Sequence, residues 1–272
     1  MRNRILCAVL AAMPVGVTKA DSALDAKARS IGVDLRPGYL HINALPDSEA
    51  FLAPPPATGS TAEALDQASA TQAVALNGTP RFQQSTLDAG IEAANATGLF
   101  SCAAGIAIGQ GTTPKTDALL HKTMTDLGIG GYRAKDKYKH VRPFMVNDKP
   151  TCTPAQEGVL RHDGSYPSGH SAIGYGWGLI LAELVPARAT DLVERGREFG
   201  DSRMVCNVHW LSDVQAGRYV GAAVVARLHA DPVFRADMAA AAAELASATA
   251  KPDPTDCDRE AAALAQDWPG NR

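Results

Sequence analysis

The sequence has few aromatic residues and no internal repeat. Aromatic side chains make up 6% of the 272 residues, whereas alanine is abundant. No long stretch alternates polar and apolar residues with the period of two that a half-buried β-strand requires. Beyond the N-terminal segment, no apolar run approaches the ~20 residues that a membrane-spanning helix needs. These absences favour helices packed closely through small residues, and the fold class that we predict is all-α.

The first 20 residues have the pattern of a secretory signal peptide. Arg2 and Arg4 precede the apolar segment 5–17, and the Thr-Lys-Ala tripeptide at 18–20 fits a cleavage site. The alternative is a retained membrane anchor, which the short apolar segment and Pro14 disfavour. We therefore predict that residues 1–20 are removed and that the mature chain is periplasmic or secreted.

Removal of this segment leaves the chain short of positive charge. It takes away three of the 26 basic residues and none of the 29 acidic residues, which moves the net charge from −3 to −6. Proteins that bind nucleic acid usually carry a basic patch or stripe. The charge balance argues against a nucleic-acid partner, and the lack of a long apolar run argues against a membrane partner for the mature form.

The chain contains no Cys-x-x-Cys pair, which argues against a structural zinc site. Cys7 lies in the predicted signal peptide, so four cysteines remain in the mature chain. An even number in an exported protein predicts two disulfides, for which three pairings are possible. The spacing does not choose among the pairings of Cys102, Cys152, Cys206 and Cys257.

The helical pattern divides the mature chain into three parts. We predict an extended arm over 21–60, which contains the Pro-Pro-Pro run at 54–56, a helical domain over 61–250, and a polar C-terminal tail over 251–272. Gly98 and Gly200 are predicted to end helices. Gly174 and Gly178 lie on one helical face, which would let another helix approach closely. The predicted helices cover 61–76, 83–96, 116–127, 132–141, 168–185, 187–199, 213–230 and 232–248, with a loop over 144–166.

The stretch Gly-Ser-Tyr-Pro-Ser-Gly-His at 164–170 turns from a loop into a predicted helix. Ser168 is a natural N-cap, so the amides of Gly169 and His170 would point at whatever lies in front of the helix. Such a helix start is an anion site, and His170 could carry a proton to or from the anion. Many loops cap helices, so this stretch alone is weak evidence.

Two cations precede this stretch. Lys135 and Arg142 are seven residues apart, close to two helical turns, so a continuous helix would place both on the same face. For this pair alone a solvated basic face is the plainer interpretation, and a clamp for a dianion is the alternative.

A further cluster follows at 202–213. An unpaired Arg203 would be costly to bury in the apolar run that it precedes, unless it simply points to solvent. His209 lies just before a predicted helix, and a carboxylate four residues on, Asp213, could fix its tautomer and leave the other nitrogen free to attack. A structural histidine bonded to a capping aspartate is the plainer interpretation of this pair alone.

The three segments together follow the order Lys-x6-Arg-Pro, Pro-Ser-Gly-His and Ser-Arg-x5-His-x2-Ser-Asp. This order resembles the type 2 phosphatidic acid phosphatase superfamily, which includes vanadium haloperoxidases. Within it, segments 164–170 and 200–214 are similar to the class A bacterial non-specific acid phosphatases, as are Leu-Pro-Asp-Ser at 45–48 and the prolines at 54–56. The resemblance covers about 200 residues, from 45 to 245, and implies a single-domain helical bundle.

The resemblance also implies a role for each site residue. His209 would attack phosphorus and form a phosphohistidine, Asp213 would orient His209, and His170 would protonate the leaving oxygen and then activate water. Neither a metal nor another cofactor is expected, because cations would neutralise the phosphoryl charge. The residues that would bind phosphate are Lys135, Arg142, Ser168, Gly169 and Arg203.

The resemblance implies that the protein is a secreted acid phosphatase that hydrolyses small phosphate monoesters. The alternatives are a vanadate-dependent haloperoxidase that uses the same pocket, and a phosphate-binding protein without turnover. A membrane-embedded lipid phosphatase is disfavoured because the mature chain lacks a spanning segment. Relatives of this kind are often oligomeric, so a homo-oligomer is an open alternative.

Some residues depart from the motifs or lie outside them. Asp201 stands where many class A relatives have glutamine, and Asn207 stands where they commonly have glycine. Asp163 is most simply a loop residue. The remaining histidines are interpreted as surface or structural residues: His41, His121, His140, His162 and His229.

Overall fold

A computed structural model describes residues 37–266, so the predicted signal peptide and residues 21–36 of the predicted arm lie outside the described residues, as do residues 267–272. In the described part every regular element is a helix and no residue lies in a strand, which confirms the all-α prediction. None of these helices is both long enough and apolar enough to cross a bilayer. The helices longer than one α-helical turn are α1 (Thr61–Val74), α2 (Pro80–Asp88), α3 (Pro114–Ile129), α4 (Tyr132–Tyr138), α5 (Gly169–Leu184), α6 (Ala189–Val205), α7 (Leu211–Leu228), α8 (Pro232–Ser247) and α9 (Pro254–Leu264).

Side-chain caps explain where many of these helices begin. Ser60, Thr79 and Ser168 accept hydrogen bonds from backbone N–H groups in the first turns of α1, α2 and α5. Asp231 and Asp253 do the same for α8 and α9. Caps of this kind are typically worth ~1 kcal/mol each. A proline follows the cap in α2, α8 and α9, where its missing N–H costs nothing.

Two predicted helix ends are wrong because tertiary contacts override the local signal. The helix predicted over 83–96 is α2, which ends at Asp88, where the carboxylate is buried against Arg195. Gly200 does not end α6, which continues to Val205. A Cβ on Gly200 would lie 3.1 Å from Ser171 Oγ, so this glycine permits close packing of α6 on α5.

The helix predicted over 132–141 is also shorter than expected. It is α4, which ends at Tyr138, and Lys139 follows in a left-handed conformation with φ of 46°. Lys135 and Arg142 therefore do not share a helical face, and the geometric reason for pairing them is wrong. The predicted loop over 144–166 contains the one-turn helices Phe144–Asn147 and Glu157–Leu160.

The centre of the fold is α5, which packs on α6 and α7 through glycines. A Cβ on Gly174 would lie 2.4 Å from the Phe199 ring, and one on Gly178 would lie 2.7 Å from the carbonyl oxygen of Leu192. The predicted small-residue face is therefore confirmed. Trp177 fills the adjoining core and donates its indole N–H to the carbonyl of a residue in α3 at 2.9 Å.

Helix α7 approaches the N-terminus of α5 just as closely. A Cβ on Gly217 would lie 2.4 Å from the carbonyl oxygen of Ser168, and one on Gly221 would lie 2.6 Å from that of Ala172. Because both neighbours are backbone atoms, they cannot rotate away as a side chain would. The start of α5 is therefore fixed against α7.

We expect Gly217→Ala to destabilise the protein and to lower its activity together. The added methyl group must push the Ser168 carbonyl away, and overpacking of this kind costs about 1–3 kcal/mol. Urea denaturation would measure the change. Gly158→Ala is the matched control, because a Cβ there meets no atom within 4 Å. Equal stability of the two variants would contradict the expectation.

Two disulfides join the four remaining cysteines, as predicted. Cys102 pairs with Cys257, and Cys152 pairs with Cys206. The first bond attaches α9 to the rest of the domain, and α9 forms a helix within the predicted polar tail. The second bond ties the loop over 144–166 to Cys206, the residue that follows α6.

Candidate active site

The predicted site residues come together where α4, the start of α5 and the turn between α6 and α7 meet. All of them lie in the described part of the chain. Contacts or electrostatic interactions connect the charged side chains and the two histidines, and Ser168 donates its backbone N–H to the carbonyl of Asp213 at 3.0 Å. The turn is held by Asp213 at the start of α7, where a negative charge is favourable. The residues that the structure brings together are Lys135, Arg142, Ser168, Gly169, His170, Arg203, His209 and Asp213.

His209 is buried, and its contacts determine which nitrogen carries the proton. Arg142 Nη1 lies 3.2 Å from His209 Nε2. A guanidinium can only donate, so Nε2 accepts and holds its lone pair. The proton of the neutral imidazole is then on Nδ1, which lies 3.4 Å from Asp213 Oδ2. This is the tautomer that a nucleophilic Nε2 requires.

Asp213 is fully buried and accepts from several donors. Its Oδ2 accepts the backbone N–H of Trp210 at 2.8 Å, and its Oδ1 lies 3.1 Å from His140 Nδ1. Burial alone would raise the pKa of the Asp213 carboxyl, but the hydrogen bond from His140 and the nearby imidazole of His209 outweigh it and hold the pKa below its usual value. Asp213 is therefore a permanent anion beside His209. The 3.4 Å separation to His209 is longer than an ordinary hydrogen bond, as is common before a substrate binds.

The electrostatic environment keeps His209 neutral in acid. Burial lowers its pKa to about 3, and the positive charge of Arg142 acts in the same direction. The hydrogen bond and charge of Asp213 raise the pKa but do not compensate. A histidine with the ordinary pKa would be protonated, and unable to attack, below about pH 6.5.

Arg203 is buried, not directed to solvent, and it lacks partners for much of its guanidinium. It is 1% exposed, and its Nε and Nη1 have no hydrogen-bond partner among residues 37–266. Burial lowers its pKa to about 9, and the charge of Arg142 adds to this. An unpaired buried cation costs free energy, which a bound anion at these two donors would offset.

Lys135 and Arg142 converge on the carboxylate of Asp163. Lys135 Nζ lies 3.4 Å from Asp163 Oδ2, and Arg142 Nη2 lies 3.1 Å from the same oxygen. Lys135 also donates to the carbonyl of Gly164 at 2.5 Å, and burial lowers its pKa to about 8. The two cations therefore lie close together although they do not share a helical face. Asp163 is thus a site residue that the sequence did not reveal, because no local pattern marks it.

The start of α5 supplies further donors. Ser168 Oγ accepts from Ser171 Oγ at 2.9 Å and from the Ser171 backbone N–H at 3.3 Å. Both bonds use oxygen lone pairs, so the Ser168 hydroxyl can donate its own hydrogen. The N–H groups of Gly169 and His170 are in the first turn, where the helix itself offers no acceptor. The three groups form a cradle for an anion.

His170 is partly buried at the same helix start. Its Nε2 lies 3.2 Å from the carbonyl oxygen of Ala89, which can only accept, so Nε2 carries a proton. Burial lowers the pKa of His170 well below its ordinary value, and the charge of Arg203 lowers it further. The remaining nitrogen, Nδ1, is the one that can exchange a proton with a bound group.

The sequence comparisons agree with this geometry. Residues 118–236 match the PAP2 superfamily. A non-specific acid phosphatase of Salmonella typhimurium is 41% identical over 203 residues, which cover 73% of this chain and 80% of that protein. The chain belongs to the PAP2 superfamily. An acid phosphatase of Zymomonas mobilis is 40% identical over 202 residues, with coverage of 73% and 75%. A non-specific acid phosphatase of Providencia stuartii is 38% identical over 209 residues, with coverage of 76% and 84%.

His140 is a structural residue in this PAP2 protein, and it contacts the candidate site. Its Nδ1 lies 3.1 Å from Asp213 Oδ1 and 3.2 Å from Ser165 Oγ. Although burial lowers the pKa of His140, the hydrogen bond that it donates to Asp213 and the negative charge of Asp213 raise the pKa above the usual value overall. No local pattern predicts this contact, because His140 matches no motif position. Other histidines pair outside the site: His121 with Asp117 and His229 with Glu183.

The two departures from the family pattern are accommodated locally in the PAP2 chain. Asn207 has φ of 59°, a left-handed conformation that glycine adopts freely and asparagine tolerates. Its amide donates to the carbonyl of Lys149 at 2.9 Å. Asp201 is buried and forms ion pairs with Arg197 and Arg218. Both residues support the α6–α7 turn without touching the predicted nucleophile.

Proposed function

We propose that this PAP2 protein is an acid phosphatase that hydrolyses phosphate monoesters through a phosphohistidine intermediate. The observation that carries the proposal is a buried, neutral His209 with its lone pair on Nε2, in a cluster that includes the unpaired donors of Arg203. A nucleophile near a buried cation whose donors lack an anion is suited to phosphoryl transfer. The names of the relatives, which are acid phosphatases, support the same reaction.

In the first half of the proposed reaction, the phosphoryl oxygens bind Arg203, Lys135 and the cradle at the start of α5. Arg142 turns an N–H from His209 Nε2 to a phosphoryl oxygen, which frees the lone pair. Nε2 then attacks phosphorus, the P–N bond forms, and the P–O ester bond breaks. The leaving oxygen takes a proton from His170, and Asp213 stabilises the positive charge on His209.

In the second half, the now neutral His170 removes a proton from water. The resulting hydroxide attacks phosphorus, the P–N bond breaks, and inorganic phosphate is released. His209 returns to its neutral form, and His170 regains the proton that it needs for the next turnover. The protein groups alone balance protons and charge in both steps, so the proposal includes no metal and no other cofactor.

We also propose that the protein works in the periplasm or outside the cell. The predicted signal peptide over 1–20 directs export, and the two disulfides suit an oxidising compartment. Small phosphate monoesters are the proposed substrates.

The pH dependence of kcat/KM tests the proposal, because this quantity reports the free enzyme. Since the pKa of His209 is about 3, we expect no fall in kcat/KM from about pH 6.5 down to about pH 4, where an ordinary histidine nucleophile would become protonated. As the pH rises above the pKa of His170, kcat/KM should fall, because His170 must carry the proton that the leaving oxygen takes. The pKa of His170 is lowered, so this fall belongs to a pKa below the ordinary value of histidine.

The assay would follow phosphate release from an aryl phosphate in the presence of EDTA, with the ionisation of the substrate measured separately. An acid limb near pH 6.5, about the ordinary pKa of histidine, would contradict the environment assigned to His209. Loss of turnover on addition of EDTA would contradict the metal-free reaction.

A further inference from the structure

Asp163 lies inside the cluster of cations that would hold the phosphoryl group. Its side chain is 8% exposed, and one carboxylate oxygen contacts both Lys135 Nζ and Arg142 Nη2. The charges that would bind phosphate therefore already face an anion that belongs to the protein. Asp163 immediately precedes the stretch 164–170, so its backbone position is set by the same loop that leads to the cradle.

The hydrogen bonds of Arg142 show how much it depends on this carboxylate. All three of its nitrogens donate to protein acceptors, most of which are neutral carbonyl oxygens. Asp163 Oδ2 is the acceptor that carries a negative charge. A phosphoryl oxygen can receive an N–H from Arg142 only if it replaces at least one of these acceptors. The acceptors are the carbonyls of Leu160, Asp163, Gly164 and Val208, the Nε2 atom of His209, and Asp163 Oδ2.

We propose that Asp163 sets the affinity of the site for phosphate by competing with it for Lys135 and Arg142. The proposal rests on the proposed function, since it concerns the same site. A carboxylate beside the phosphoryl group repels it, and it also cancels part of the positive charge that attracts it. Asp163 therefore weakens the binding of inorganic phosphate, which is the product, and speeds its release.

A purely structural role for Asp163 predicts the opposite change in phosphate affinity. If Asp163 served only to position Lys135 and Arg142, its removal would misplace the cations and weaken phosphate binding. If it competes, its removal leaves both cations free to turn to phosphate and tightens binding. The direction of the change in affinity therefore separates the two roles.

Asp163→Asn keeps the shape of the side chain and removes its charge. The dissociation constant of inorganic phosphate would be measured by calorimetry at about pH 5.5, well below the pKa of about 8 for Lys135, so that the lysine stays charged. We expect binding to tighten roughly tenfold, within the range found for close charge pairs. KM and kcat should both fall, because substrate binds more tightly and product leaves more slowly.

Asp148→Asn is the matched control. Asp148 lies in the same loop region, is exposed, and has φ of 51°, which asparagine tolerates. The substitution Asp148→Asn removes the same charge at a residue that does not touch Lys135 or Arg142. We expect it to change the phosphate affinity less than about twofold, as for a screened surface charge. A general electrostatic effect would shift both variants equally and would overturn the proposal.

Asp163→Asn leaves two buried cations without their carboxylate and could fail to fold. The pair Lys135→Gln and Lys135→Gln/Asp163→Asn avoids this difficulty, because the double variant restores the charge balance. Phosphate should bind more tightly to the double variant than to Lys135→Gln alone. Equal or weaker binding in either comparison overturns the proposal. Absence of turnover in the wild type would instead refute the proposed function, since the binding measurements do not require turnover.

Discussion

His209→Ala is expected to reduce kcat by about 10⁴-fold or more, as removal of a nucleophile does in enzymes with covalent intermediates. His209 is the residue whose Nε2 lone pair is held free of a proton, by an N–H donated from Arg142. Alanine supplies no atom that can attack phosphorus, and the cradle at the start of α5 does not replace it. Phosphate release from an aryl phosphate would measure the loss.

A second measurement connects this loss to the proposed intermediate. Wild-type protein quenched during turnover of a ³²P-labelled substrate should carry acid-labile label, and His209→Ala should carry none. His121→Ala serves as the control, because His121 is also partly buried and pairs with an aspartate, but outside the site. Label or turnover that survives in His209→Ala would mean that another residue is the nucleophile.

Asp213→Asn is expected to reduce kcat by about 10³–10⁴-fold, comparable to loss of the carboxylate that orients a catalytic histidine in serine proteases. Donors from Trp210 and His140 converge on the carboxylate of Asp213, and the Nδ1–H of His209 faces it. An amide has one oxygen and one NH₂ group, so at least one of these donors would face another donor. His209 would then lose the partner that fixes its tautomer and the charge that stabilises its phosphorylated form.

The affinity for inorganic phosphate distinguishes this effect from general damage. We expect Asp213→Asn to bind phosphate within about threefold of the wild type, because the cations and the cradle remain, and a threefold change is below 1 kcal/mol. Asp231→Asn is the matched control: Asp231 caps α8 through two backbone N–H groups, and asparagine caps almost as well. An Asp213→Asn variant with normal kcat would refute the orienting role.

The sequence alone predicted the features that depend on residues close together in the chain. Helices α1, α3, α5, α7 and α8 follow from periodicity and caps, and the His209–Asp213 pair follows from a spacing of four residues. The sequence also predicts that Lys135 and Arg142 lie close together. The geometric reason for that prediction was one continuous helix, whereas α4 ends at Tyr138. Motif order identified the pair correctly even though the geometric argument failed.

Features that depend on distant residues could not be predicted in this way. His140 contacts Asp213 across 73 residues, and Asp163 reaches Lys135 and Arg142 from a loop with no periodic pattern. Gly200 has the local signature of a helix end, yet its neighbours in α5 and α7 keep α6 continuous. The disulfide pairing was equally inaccessible, since it joins cysteines 155 and 54 residues apart.

The position of α9 has a consequence for how the protein is made. Cys257 bonds to Cys102, and Glu260, one turn later, lies 3.4 Å from Arg195, whose other carboxylate partner is Asp88. These contacts join α9 to parts of the domain that the ribosome produces much earlier. These contacts therefore cannot form until α9 has been synthesised and an oxidant has joined Cys257 to Cys102.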